Sequence, residues 1–220
     1  VFALVGRGPQ LVPVDAPATT VASTVATALL RSDDSDPQAE RAWAETLAGI
    51  QSVKVPRVMV PESRIAGIGI TTNTQVISRT EPLTDVATLA VKENDARMPL
   101  TVGRAMARRI VKEMAVNRTA KALNVDGQMG SIFRMAASAA WTGTEQADTR
   151  NWGLLPREIQ VARVELPVGA HTLDFHPLDA AAMPFGTTHR IPVEVIDGKN
   201  TYLILIAPDQ KIFVANAAEQ

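Results

Sequence analysis

The stretch on which the reading of this chain turns runs from residue 145 to 173, EQADTRNWGLLPREIQVARVELPVGAHTL. Before it the sequence carries helical spacings; after it come short apolar runs cut by Pro, Gly and Asp. Residues 158–166 alternate as a strand, 167–170 form a turn signal, and 171–176 read as a strand pairing back in a hairpin. Residues 190–196 and 201–207 flank Asp197-Gly198, a dipeptide suited to a type I′ hairpin turn, and 211–214 add a last strand. The expectation is a compact antiparallel, β-sandwich-like module over residues 151–220.

Working outward, residues 1–150 read as a mixed α/β part with long helices. An apolar strand at 1–5 ends at Gly6-Arg7-Gly8-Pro9, and 11–14 can form an edge strand because Pro13 donates no ladder hydrogen bond. Residues 19–31 have helical spacing, with Val21, Val25, Ala28 and Leu29 on one face. Residues 32–37, SDDSDP, are an acidic break offering Asp36 as N-cap and Pro37 as first residue of a helix over 38–47. An irregular strand follows at 53–60. Two more, at 64–71 and 74–80, join through Thr72-Asn73, with Ile65, Ile68, Ile70, Val76 and Ile77 on the buried face. Thr84-Asp85 caps a helix over 86–93, and Pro99 interrupts or restarts it. The longest helix spans 100–123, with Val102, Met106, Ile110 and Met114 as its core stripe. Another spans 128–141. The fold class is thus α+β: a helical layer packed on antiparallel strands, ending in the β module.

Composition narrows the chemistry. The chain has 220 residues, 46% hydrophobic and 4% aromatic, with a formal net charge of −1. That is globular composition with no overall pull towards nucleic acid or anionic lipid. Without cysteine there is no disulfide, thiol nucleophile or Cys-ligated metal. No apolar run reaches the ~18 residues of a membrane span. Val1 opens a strand with no charged leader, which reads as a chain beginning inside a longer protein, with any lipid anchor outside it.

Each candidate site also has a plain structural role open to it. Between residues 97 and 121 seven basic residues face one acid. Arg104, Arg108 and Lys112 share a helix face there, either as an anion contact or as an ordinary solvated surface. His171 and His176 fall on opposite sides of one strand, while His176 and His189 could meet across a loop near Asp174 or Asp179, a weak metal arrangement. No Gly-x-Ser-x-Gly elbow occurs. No catalytic residue, metal ligand or cofactor is therefore assigned. Asp148, Arg150 and Trp152 alternate, so Asp148 can pair with Arg150 and Arg150 can lie over the indole. They read either as an exposed recognition spot or as a buried clasp holding the two parts as one unit, the clasp being preferred.

The same stretch resembles the C-terminal part of a family of uncharacterised bacterial envelope lipoproteins with a tetratricopeptide-like N-terminal half. The matching motifs are 147–152, Leu155-Pro156, 159–163 and 167–173, with looser agreement upstream. The resemblance implies a periplasmic or outer-membrane-anchored, non-enzymatic domain with a structural, assembly or protein-interaction role. Its partners would be other envelope proteins, a second copy, or the N-terminal helical region of the same protein. It would bind no nucleic acid and meet the membrane only through an anchor outside this chain. The competing expectation is a small-ligand, glycan or metal-binding module, hydrolytic or not, centred on the histidine-bearing loops.

Overall fold

The computed structural model describes residues 1–31, 37–73, 75–122, 147–150 and 153–215. The acidic break with Asp36, the helix expected over 128–141 and Trp152 lie outside them. In chain order the elements are β1 (Phe2–Arg7), β2 (Gln10–Pro17), α1 (Thr20–Leu30), α2 (Pro37–Gly49), β3 (Ser52–Met59), β4 (Gly67–Thr72), β5 (Gln75–Arg79), β6 (Glu81–Asp85), α3 (Val86–Ala122), β7 (Pro156–Val161), β8 (Gly169–Leu178), β9 (His189–Val195), β10 (Ile204–Ala207) and β11 (Phe213–Ala215). The fold is α+β; in its two larger sheets the strands pair antiparallel except for β1 with β10.

The chain divides into two units, each gathered from separate stretches. One comprises Val1–Gln10, Val58–Lys92 and Asn151–Gln220; the other comprises Leu11–Arg57 and Glu93–Arg150. A single boundary at residue 150 does not describe this arrangement. Strands on either side of it pair directly, β7 with β1 and β6, and β8 with β4.

The first unit holds two sheets, ordered β11-β10-β1-β7-β6 and β5-β4-β8-β9. One buried cluster joins Ala3, Val5, Leu205 and Ala207 of the first sheet to Ile68, Ile70, Leu173, Phe175, Ile191 and Val193 of the second. These residues alternate along their strands, so each sheet turns one face into a shared core. The expected local hairpins do not form. β7 and β8 lie in different sheets, and β9 pairs with β8 while β10 pairs with β1 and β11. The periodicity that marks a strand says which face is buried, not which strand lies alongside.

Glycine is required where β1 leaves its sheet. A Cβ on Gly8 would stand 2.1 Å from the carbonyl oxygen of Leu155, so the backbone approach excludes any side chain. The turn expected at Gly6-Arg7-Gly8-Pro9 is not seen: Gly6 and Arg7 extend β1, and Gly8-Pro9 is a short link to β2 held by close packing. Val76, expected inside, is exposed, because a bulge between Ile70 and Thr71 shifts the β4–β5 register.

The second unit pairs β2 with β3 and closes its core with α1 and α3. Ala16, Val53 and Val55 meet Ala22 and Ala26 of α1 and Val102, Met106 and Ile110 of α3. The buried face of α1 is thus its alanines, while Val21 and Leu29 face outward. A Cβ on Gly103 would lie 2.6 Å from Val25 Cγ1 and 2.9 Å from the Ala22 carbonyl oxygen. The helices cross closely at small residues, which turns α1 away from the face that hydrophobicity alone suggests. Thr19 caps α1, its hydroxyl accepting from Ala22 N–H at 3.2 Å.

α3 runs unbroken from Val86 to Ala122 with Pro99 inside. Proline removes one N–H and crowds the carbonyl four residues back, here that of exposed Asp95, where water can take the freed acceptor. Asp85 caps the helix: its Oδ2 accepts from the Thr88 hydroxyl at 2.5 Å and its Oδ1 from Thr88 N–H at 2.8 Å, and these hydrogen bonds, the hydroxyl's first, hold its carboxyl below the ordinary range. None of the described helices is long and apolar enough to cross a membrane.

Gln160, fully buried, joins the two sheets of the first unit. Its Oε1 accepts from Thr80 Oγ1 at 2.6 Å, and its Nε2 donates to the Ala66 carbonyl at 2.9 Å and to Glu158 Oε2 at 2.8 Å. Thr80 Oγ1 in turn accepts from Ile68 N–H at 2.9 Å. Replacing Gln160 by Leu strands the buried Thr80 hydroxyl and removes the side-chain donor to the Ala66 carbonyl. We expect a loss of about 2–4 kcal/mol, read by denaturant unfolding; a loss below about 0.5 kcal/mol would show that the joint is not structural.

Candidate functional site

Two outer surfaces of the first unit bear on function. On the four-stranded sheet, register assembles a row of side chains from distant parts of the chain. Gly69 on β4 lies opposite Arg79 on β5 and opposite His176 on β8. Directly opposed residues point to the same face, so the row presents a guanidinium, a gap and an imidazole. Leu178 fills part of the gap; a Cβ on Gly69 would lie 3.3 Å from its methyl groups. The result is a groove of about 410 Å³, walled chiefly by Val76, Leu178 and Pro184 and reached by Thr71, Ser78, Arg79 and His176.

The imidazole is fixed at both nitrogens. Nε2 lies 2.9 Å from Thr71 Oγ1, and Nδ1 lies 2.9 Å from Thr188 Oγ1. Thr71 also donates to the Asp174 carbonyl at 3.4 Å. With the Thr71 proton directed there, its oxygen accepts from Nε2–H, and Nδ1 accepts from the Thr188 hydroxyl. Beside this chain Arg190 holds Asp174 through two bonds, Nε to Oδ1 at 2.7 Å and Nη2 to Oδ2 at 3.0 Å. The hydrogen bond from Arg190, then its charge, keeps Asp174 below the usual carboxylate range. The loop after β8 is tied by Asp179 Oδ1, which accepts from the N–H groups of Ala181 and Met183, both at 3.0 Å. Ala182 adopts φ 59° in that turn.

The histidines do not converge on a metal. His171 and His176 project to opposite faces of β8, and His171 Nε2 sits 2.7 Å from the Pro167 carbonyl. His189 lies opposite Phe175, on the face away from His176. The loop meeting expected between His176 and His189 is replaced by the bond from Thr188. Among the described residues no group of three or more His, Asp or Glu side chains could hold a metal ion.

The second surface is the outer face of the five-stranded sheet. Phe2 pairs with Ile204 and Val161, and Leu4 pairs with Ile206 and Ile159; Ile206 in turn pairs with Phe213. All seven point away from Ala3, Val5, Leu205 and Ala207, and none belongs to a core cluster. Phe2, Ile204, Ile206 and Phe213 are 39%, 40%, 38% and 53% exposed. An outer sheet face normally alternates to polar residues; this one carries Phe and Ile.

The other candidates resolve differently. Asp148 and Arg150 do pair, Arg150 N–H and Nε donating to Asp148 Oδ1 at 3.1 and 3.2 Å. The backbone bond from Arg150, then its charge, holds the Asp148 carboxyl down. Their side chains are 69% and 93% exposed, so the pair closes a local Asx-turn on the surface and is not the buried clasp expected. Trp152 lies outside the described residues. Arg104 and Arg108 are exposed on one face of α3, with Lys112 half-buried beside them. Neighbouring Arg109 bonds Glu113 at 3.0 Å and points an Nη1 at the Ser52 carbonyl at 3.4 Å. Part of the basic charge of this helix is thus used within the fold.

Compared with known proteins, the chain matches no family model, no curated protein and no solved structure.

The Asp174–Arg190 pair gives a pH test. A depressed folded-state pKa stabilises above the unfolded value of about 3.9 and ceases to do so as pH falls through the folded value. In Arg190→Gln the Asp174 carboxyl, followed by carbon NMR, should titrate at higher pH than in the parent. An unchanged midpoint would show that Arg190 does not set it.

Proposed function

We propose that this chain is a non-enzymatic, protein-interacting domain of the bacterial cell envelope, with a structural or assembly role. The observation that carries the reading is the apolar outer face of the five-stranded sheet. β1 and β10 are apolar on both faces, a composition typical of strands covered on both sides. An apolar patch of this kind marks a binding surface more often than ordinary surface. Its centre carries Phe, Leu, Ile and Val, which would bury well against an apolar helix face or a second sheet. The envelope assignment rests on the resemblance of residues 145–173 described above. In this reading the Asp148–Arg150 turn is a surface feature, and the first partners to consider are envelope proteins, a second copy, or the helical region of the same protein.

A photo-crosslinking residue placed at Phe213, with a second variant carrying it at exposed Thr172 on the other sheet, tests this in cells. Expected are discrete adducts from Phe213, absent from Thr172 and abolished by Ile206→Lys, with the protein in the envelope fraction. Equal labelling at both positions would remove the interaction reading, and recovery solely from the cytosol would remove the envelope assignment.

A further inference from the structure

We propose that the groove on the four-stranded sheet binds a small monocarboxylate with an apolar body, such as a medium-chain fatty acid. This site lies on a different sheet from the apolar face and does not rest on the interaction reading. Its volume of about 410 Å³ falls within the ~300–1,000 Å³ range of small-molecule sites.

The row that builds the groove sets the chemistry. Arg79 and His176 flank Gly69 from the two neighbouring strands, so their backbones stand two strand spacings apart, about 9.5 Å. A side chain on Gly69 would occupy the middle; its absence leaves that space to Leu178 and to a ligand. Leu178, Val76 and Pro184 supply apolar walls. Among the described lining residues Arg79 carries the one fixed charge, and no carboxylate lines the groove with it. A cation above an apolar floor selects an acid with a hydrocarbon tail over a sugar, which would need acceptors and donors along its whole length.

Arg79 already has a neighbour: its Nε donates to Glu81 Oε1 at 2.9 Å, with both side chains more than 60% exposed. An exposed pair of this kind is held weakly. Its bond uses Nε, while a carboxylate can take the planar pair of Nη donors. Glu81 then acts against the ligand by repulsion. The imidazole of His176, held between Thr71 and Thr188, forms the fixed opposite wall and supplies a spectroscopic reporter.

The test uses the whole chain, with sodium octanoate as the probe and 1-octanol as its uncharged counterpart. Binding is followed by calorimetry and by the ring signals of His176. Octanoate should saturate and shift those signals, and octanol should bind at least roughly tenfold more weakly. Arg79→Gln should reduce octanoate affinity roughly tenfold without changing that for octanol, and Glu81→Gln should raise it a few-fold. Both positions are exposed, so the variants should keep the parent circular dichroism. No shift at His176 with octanoate would overturn the site. Equal binding of octanol, or an Arg79→Gln variant that binds octanoate unchanged, would overturn the carboxylate assignment.

Discussion

The amide of Gln160 is the constraint on which the first unit depends. It is fully buried and makes three hydrogen bonds, to Thr80, Ala66 and Glu158. A buried amide left unpaired costs more than a paired one gains, so such a group permits few arrangements of the backbone around it. Gln160 sits on β7 of one sheet; Ala66 leads into β4 of the other, and Thr80 lies between β5 and β6, where the chain passes from one sheet to the other. Thr80 also donates its backbone N–H to the Ile68 carbonyl at 2.9 Å. Polar bonding therefore fixes how the two apolar faces meet, a relation that burial alone would leave adjustable.

Once the inner faces are fixed, strand alternation decides the outer ones. On the four-stranded sheet this brings Thr71, His176 and Asp174 out, opposite Ile70, Phe175 and Leu173, a polar row beside the apolar walls of the groove. On the five-stranded sheet the same alternation brings out Phe2, Leu4, Ile204 and Ile206. The two sheets share one core and obey one rule, yet one exterior mixes polar and apolar side chains and the centre of the other is apolar. The difference lies in the sequence of β1 and β10, whose outward phases carry Phe2, Leu4, Ile204 and Ile206, and it is the physical basis for assigning the two exteriors different kinds of partner.

Much of the element content was legible in the sequence because it depends on local period and punctuation. The strand at Gly67–Thr72, the cap at Asp85 and the Val102–Met106–Ile110 stripe all follow from residues close in the chain. β6 was not, since Glu81-Pro82-Leu83-Thr84 neither alternates nor carries strand-forming residues beyond Leu83 and Thr84. The outward turn of Val76 was hidden because a bulge changes parity without a sequence marker. Pairing was the largest gap: β7 joins β1 across more than 150 residues, and a hairpin reading necessarily favours the near neighbour. The candidate site fell into the same gap. His176 was visible as a residue, but its row with Gly69 and Arg79 exists only through register.

That dependence on register explains why the histidine loops look metal-like in sequence and behave otherwise in the fold. His176 and His189 lie on a chain that turns back on itself between them, and only the pairing decides which face each takes. β8 and β9 pair with Phe175 opposite His189, which sends His176 outward to Thr188 and His189 towards the other face. A shift of one residue in that register would have brought the two imidazoles to the same face. The bidentate pairing of Arg190 with Asp174 holds the observed register from outside, while Ile191 and Val193 hold it from within. The groove and the apolar face then occupy opposite exteriors of one sandwich, so a ligand in the first leaves the second sterically free for a partner.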